Sequence, residues 1–114
     1  MPNIRVASKS RRSCDGYVFG SLAEKERYQQ LKLIEQSGEI HNLTVHPSYL
    51  LQESFYLTNG KKVLPIKYVA DFSYWEHGRI IVEEVKGFET DVWKIKKKMF
   101  LNRYPNCGLR IIKI

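Results

Sequence analysis

Residues 71–87, DFSYWEHGRIIVEEVKG, leave this chain few folds to choose from. Two runs rich in β-branched and aromatic residues, KYVADFSYW and RIIVEEVKG, meet across Glu76-His77-Gly78, the pattern of a β-hairpin. Asp71 falls on the first arm; Glu84 and Lys86 fall on the second, two residues apart. Strand side chains alternate between faces, so Glu84 and Lys86 share a side and Glu83 points to the other. Glu83 is the rival acid on this arm, and the face shared with Lys86 favours Glu84. Carboxylates gathered on such a hairpin repel one another unless a cation joins them. The stretch therefore predicts a seat for a hard, oxygen-seeking divalent ion.

The rest of the chain has the length of one domain, 114 residues, with 43% hydrophobic and 27% charged residues. That is enough for a single core and short for a separate regulatory module. No apolar run approaches the ~20 residues that span a bilayer. The start, MPNIRVASKSRRS, lacks the apolar core of a signal peptide, which predicts a cytoplasmic protein. Cys14 and Cys107 are isolated, which predicts reduced structural thiols and neither zinc nor a disulfide framework. The net charge is +7, and it is unevenly spread. Residues 1–14 and 92–114 carry eleven cations and no acid, whereas all twelve acids lie between Asp15 and Asp91. A basic periphery around an acidic centre suits a chain that grips a polyanion at its edges and sets metal ions against it in the middle.

Residues 1–18 read as a basic arm, extended or mobile, and residues 19–114 as the folded domain. YVFGSLAEKERYQQLKLIEQSGEI carries a helix: Ser21 caps it, Glu24 follows three residues later as in a capping box, and Gly38 ends it. Turned at ~100° per residue, Ala23, Tyr28, Leu31 and Ile34 form one apolar arc with Glu24 inside it. An acid on a buried face needs a partner, so Glu24 is a candidate third carboxylate. Residues 40–57 turn to β-formers broken by Pro47, Asn59-Gly60 marks a hairpin, and residues 63–75 return as one strand apolar on both faces, hence central and covered. Residues 79–86 form the third strand. Thr90 caps a second helix over residues 91–104 with Val92, Trp93, Ile95, Met99 and Phe100 on its apolar arc; Lys96 and Arg103 fall within that arc, and Lys94, Lys97 and Lys98 opposite. Residues 109–114 form a last strand. His41, His46 and His77 stand at no metal-ligand spacing, and Tyr17, Trp75 and Trp93 fit core packing or amphipathic surface better than base stacking.

With these residues in place the chain resembles the PD-(D/E)xK nuclease superfamily, whose motif sets an Asp on one strand and acid-x-Lys on the next, with a Glu from the first helix. Here those positions are Asp71, Glu84-Val85-Lys86 and Glu24; Ala70 stands where the pattern has Pro before the Asp. The longer pieces FGSLAEKERYQQLKLIEQSGEIHNL, IKYVADFSYWEHGRIIVEEVKG and KGFETDVWKIKKKMFLNRYP resemble a family of small bacteriophage and prophage proteins with an endonuclease-like domain. The arrangement is also similar to the phage endonuclease I type of Holliday junction resolvase. The resemblance implies an α/β fold with a restriction-endonuclease-like αβββαβ core, a mixed central sheet flanked by helices. It implies Glu24, Asp71 and Glu84 as ligands of Mg²⁺ or Mn²⁺, the carbonyl of Val85 as a further ligand, and Lys86 as the catalytic lysine. The implied activity is metal-dependent hydrolysis of phosphodiesters in branched DNA, by a homodimer in a host cell's cytoplasm with no membrane partner. Arg11, Arg12, Thr90, Lys94, Lys96, Lys97, Lys98 and Arg103 are the candidate DNA contacts. Two other readings stand beside it: a site-specific or transposon-associated endonuclease guided by a partner, and a non-catalytic DNA-binding protein on the same scaffold.

Overall fold

The computed structural model describes residues 6–114; Arg5, part of the expected basic arm, lies outside the described residues. The elements run β1 (Ser13–Cys14), β2 (Tyr17–Val18), α1 (Leu22–Gln36), β3 (Ile40–Val45), β4 (Ser48–Gln52), β5 (Phe55–Tyr56), β6 (Lys62–Val63), β7 (Ile66–Val69), β8 (Phe72–Glu76), β9 (Arg79–Lys86), α2 (Asp91–Arg103) and β10 (Gly108–Lys113). Four strands make a mixed sheet in the order β10-β9-β8-β3, in which β10 runs parallel to β9 and the other neighbours are antiparallel. The expected hairpin is its centre: Glu76 pairs with Arg79 across a two-residue turn, and His77 and Gly78 both take the positive φ that a tight hairpin turn of this hand requires.

Alternation along β9 assigns the layers. Ile81 and Val85 pack with Tyr28 and Leu31 of α1, whereas Val82 packs with Trp93 and Phe100 of α2, so the two helices cover opposite faces. Helix α1 starts where predicted, its Ser21 hydroxyl accepting from the Glu24 N–H at 3.1 Å. The return half of the capping box differs, because the Glu24 carboxylate accepts from the Gly20 N–H at 3.1 Å, one residue further out. In α2 the buried residues are Trp93 and Phe100, while Val92 and Ile95, expected on the apolar arc, are exposed. The half-buried stems of Lys96 and Lys97 fill the stripe between Trp93 and Phe100.

The single strand expected over residues 63–75 is three. β3, β4 and β5 run out and β6, β7 and β8 run back as one long bent hairpin, paired β3 to β8, β4 to β7 and β5 to β6. The bend falls at His46-Pro47 on one side and Ala70-Asp71 on the other. There the ladder is replaced by two bonds, His46 N–H to the Asp71 carbonyl and Ala70 N–H to the Pro47 carbonyl, each 2.9 Å. A proline at position 70 would have no N–H for the second bond. Of these three strands only β8 lies inside the four-stranded sheet; Val69 at the end of β7 is 57% exposed. The expected mobile arm is also partly tied down. β1 and β2 pair, and the Tyr28 hydroxyl donates to Asp15 in the turn between them at 2.7 Å.

Candidate functional site

The bend creates the site. At Asp71 the chain leaves the sheet, so Val85 on β9 loses its neighbour; the Asp71 carboxyl takes the vacant place, its Oδ2 accepting from the Val85 N–H at 2.6 Å. In an extended strand the N–H and C=O of one residue point to the same edge, so the Val85 carbonyl faces Asp71 as well. Glu24 comes to the same spot from the first turn of α1. Its Oε2 accepts from Gly20 and lies 3.3 Å from the Nε2 of His46, the residue at the bend's other side. One ligand atom from each of Glu24, His46 and Asp71 lies within 4.8 Å of the others. Gly20 makes room for this: a Cβ there would stand 3.3 Å from Glu24 Oε1.

Glu84 stands beside the trio on the α2 face. Its Oε1 accepts from the Tyr68 hydroxyl, and its Oε2 is 3.5 Å from the Lys86 ammonium, which also lies 5.0 Å from the centroid of the Trp93 ring. Glu83 points the other way, fully buried between Arg27 of α1 and the Tyr74 hydroxyl. Glu24, Asp71 and Glu84 are all buried, at 9%, 8% and 6% exposure. Burial, then the facing Glu24 and the charge of Glu84, push the Asp71 carboxyl up to about 9, against the pull of the Val85 N–H. Burial also raises Glu84, with Tyr68 and Lys86 opposing. Burial would raise Glu24 too, but the bonds from Asp71, Gly20 and His46 outweigh it and hold that carboxyl below its ordinary value. The facing pair thus favours sharing one proton rather than ionising twice. Crowded, dehydrated carboxyls with a backbone carbonyl at hand are the kind of donors a hard divalent ion takes; the ligand atoms that come within 4.8 Å of one another belong to Glu24, His46 and Asp71, while the Glu84 oxygens stand alongside on Tyr68 and Lys86.

A stability prediction follows from that proton. The folded chain keeps it between pH ~4 and ~9 while the unfolded chain releases it, so stability falls as pH rises through this window. Asparagine imitates the protonated acid. With a chelator present, Asp71→Asn is expected to be more stable than the unsubstituted chain at pH 8, by on the order of 1–2 kcal/mol or roughly 5–10 °C, with the gap closing near pH 4. Thermal melts across pH check it; a less stable variant at pH 8 contradicts it.

Beyond Glu84, a cleft of about 280 Å³ opens between β7 and α2, lined by Lys67, Tyr68, Glu84, Lys86, Thr90, Trp93 and Lys96 among others. Of the predicted DNA contacts, Thr90 and Lys96 line this cleft, with the Thr90 hydroxyl also accepting from the Trp93 N–H at 3.1 Å. Lys94, Lys98 and Arg11 are exposed. Three others are committed elsewhere. Arg12 donates to the carbonyls of Ala7 and Phe19 at 2.7 Å each, Lys97 pairs with Glu89 at 3.0 Å, and Arg103 reaches the Leu51 carbonyl and Glu53. Those bonds dock local structure. Lys97 was expected on the outer side and is half-buried instead. Sequence reasoning missed Lys67 and His46; the one available signal for His46 was the break it shares with Pro47. Among the described residues no helix is long and apolar enough to cross a membrane.

A comparison with curated proteins gave no match. A family model described as a protein of unknown function, DUF1064, matches residues 7–114. The match takes in both helices, the whole sheet and every residue of the site, so the chain belongs to the DUF1064 family.

Proposed function

We propose that this protein is a metal-dependent endodeoxyribonuclease selective for branched DNA, acting as a homodimer on a PD-(D/E)xK type of core. The observation that carries the reading is the meeting of Glu24, from α1, with Asp71, at the break in the hairpin, beside the Glu84-Val85-Lys86 run of β9. Helix α1, the hairpin strands, α2 and β10 follow in the order expected of such a core. Asp71, Glu84 and the Val85 carbonyl, with Glu24, would hold Mg²⁺ or Mn²⁺, which when bound supplies Lewis-acid activation of a phosphate and of an attacking water.

The chain's own groups do the rest. The Lys86 ammonium, anchored over Trp93, stabilises negative charge developing on the phosphate. Lys67, Lys96 and the Thr90 end of α2 offer the cleft to neighbouring phosphates. Cutting a four-way junction symmetrically takes two such sites, hence the homodimer. Exposed apolar side chains at the hairpin tip, Phe55, Tyr56, Leu57 and Leu64, give a second copy something to bury against.

The test is to incubate the full chain with a four-way junction and with linear duplex of the same sequence, adding Mg²⁺, Mn²⁺ or chelator. Metal-dependent nicking of the junction with linear DNA spared is expected. Equal cutting of both would replace branch selectivity with general or partner-guided cleavage. Binding without cutting in either metal would leave a scaffold that binds DNA only.

A further inference from the structure

We infer that His46 is itself a ligand of the divalent ion, so that the site joins one imidazole nitrogen to its carboxylates and prefers Mn²⁺ to Mg²⁺. This rests on the ion site proposed above and goes beyond it, since that donor set consists of oxygen alone.

Spacing comes first. Two ligand atoms each ~2.1 Å from one ion are ~3.0 Å apart at right angles and ~3.4 Å apart at tetrahedral angles. His46 Nε2 and Glu24 Oε2 are 3.3 Å apart, and one ligand atom from each of these residues lies within 4.8 Å of an Asp71 oxygen. The Glu24–His46 pair already has that spacing, and drawing the Asp71 oxygen onto the same ion takes side-chain movements of about 1–2 Å at most. The donors come from three separate elements, the first turn of α1, the β3–β4 turn and the β7–β8 break, so no single local motif forces them together.

The imidazole is held in place for the role. The His46 N–H donates to the Asp71 carbonyl at 2.9 Å, which fixes the backbone that carries one ligand to the backbone that carries another. The ring rests against the fully buried Phe19, with 5.8 Å between centroids. Its Nε2 edge is turned to the acids, and the side chain keeps 37% exposure, leaving a way in for an ion from solvent. His46 also adopts φ 54°, uncommon for a residue other than glycine, and that conformation is part of what turns the chain at this point.

The chemical consequence concerns ion choice. Mg²⁺ favours oxygen donors almost exclusively, whereas Mn²⁺ shares its preference for carboxylate and water and, as a first-row transition ion, takes an imidazole more readily. An imidazole on the Glu24 side of Asp71 thus tilts the site toward Mn²⁺ while Glu84 and Val85 keep the other side all-oxygen.

The test uses Mn²⁺ alone, with the full chain and no DNA. Electron spin-echo envelope modulation of the bound Mn²⁺ is expected to reveal coupling to a ¹⁴N nucleus in the unsubstituted chain and in His41→Ala, and to lose it in His46→Ala. By titration calorimetry, His46→Ala should bind Mn²⁺ about 10-fold or more weakly, with a smaller change for Mg²⁺, and melts in chelator should show the variant folded. Mn²⁺ bound without nitrogen coupling in the unsubstituted chain overturns the assignment of His46 and leaves the oxygen site standing. No Mn²⁺ binding at all overturns the ion site, and the endonuclease reading with it. If His46→Ala does not fold, coupling kept in both His41→Ala and His77→Ala assigns the nitrogen to His46, the remaining histidine of the three.

Discussion

Lys86→Ala is expected to lower the rate of metal-dependent cleavage by about 10²–10³-fold while leaving metal affinity and DNA affinity within a few-fold of the unsubstituted chain. The size follows from what the ammonium can do in that position. It projects from the end of β9 with a side chain 26% exposed, 3.5 Å from Glu84 Oε2, and the Trp93 ring below it limits where it can go. A cation so placed gains most when a phosphate beside it acquires charge, so its loss is felt in the rate more than in binding. The competing role is neutralisation of Glu84. Under that role an added divalent ion substitutes for the lysine, and cleavage survives while stability in chelator falls. Single-turnover cleavage with saturating Mn²⁺, beside anisotropy for DNA binding and melts in chelator, separates the two. A near-normal rate removes Lys86 from the chemistry.

What was legible in the sequence depended on how local its cause was. Capping by Ser21 and Thr90 and the turn at His77-Gly78 rest on residues adjacent in the chain, and each stands where the pattern put it. Strand β9 was legible for a related reason: a period of two assigns Glu83 and Glu84 to opposite faces whatever packs on them. The break at Ala70-Asp71 was silent. Tyr68, Ala70, Phe72 and Tyr74 are all buried, so the alternation runs on unbroken through a bend that moves the first two to the α2 side and the last two to the α1 side. Its cause lies elsewhere, in the Val85 N–H that the Asp71 carboxyl satisfies and in the matching turn at His46-Pro47. The same long-range matching brings His46 to Glu24 and Asp71, which no spacing along the chain announces. In α2, Lys96 and Lys97 are half-buried where Val92 and Ile95 are exposed, and because a long side chain can cover apolar surface with its methylenes, a count of apolar residues does not register such an arc.

Glu83 and Glu84 are neighbours in the chain with opposite expected fates on substitution. Glu83 is fully buried and accepts from Arg27 Nε and Nη2 and from the Tyr74 hydroxyl; Tyr74 accepts in turn from Arg110 at 2.8 Å, and Arg110 pairs with Glu76 at 2.9 Å. That network ties α1 to β8, β9 and β10 on the face away from Lys86. Glu83→Ala leaves the guanidinium of Arg27, on a side chain 19% exposed, without its acid, and is expected to cost about 3–5 kcal/mol. Against the ~5–15 kcal/mol that holds a domain together, this lowers the melting temperature by roughly 15 °C or more. Replacing both partners with apolar residues, Arg27→Met with Glu83→Leu, should recover most of the loss, because it removes the stranded charge along with the pair. The gentler pair of variants decides function. Glu83→Gln keeps a hydrogen-bonding side chain in the network and is expected to cleave at a rate within a few-fold of the unsubstituted chain; Glu84→Gln, though less damaging to the fold, removes a proposed ion ligand and is expected to lose about 10²-fold or more. Loss of cleavage in a folded Glu83→Gln with activity kept in Glu84→Gln would move the acid of the site to the other face of β9.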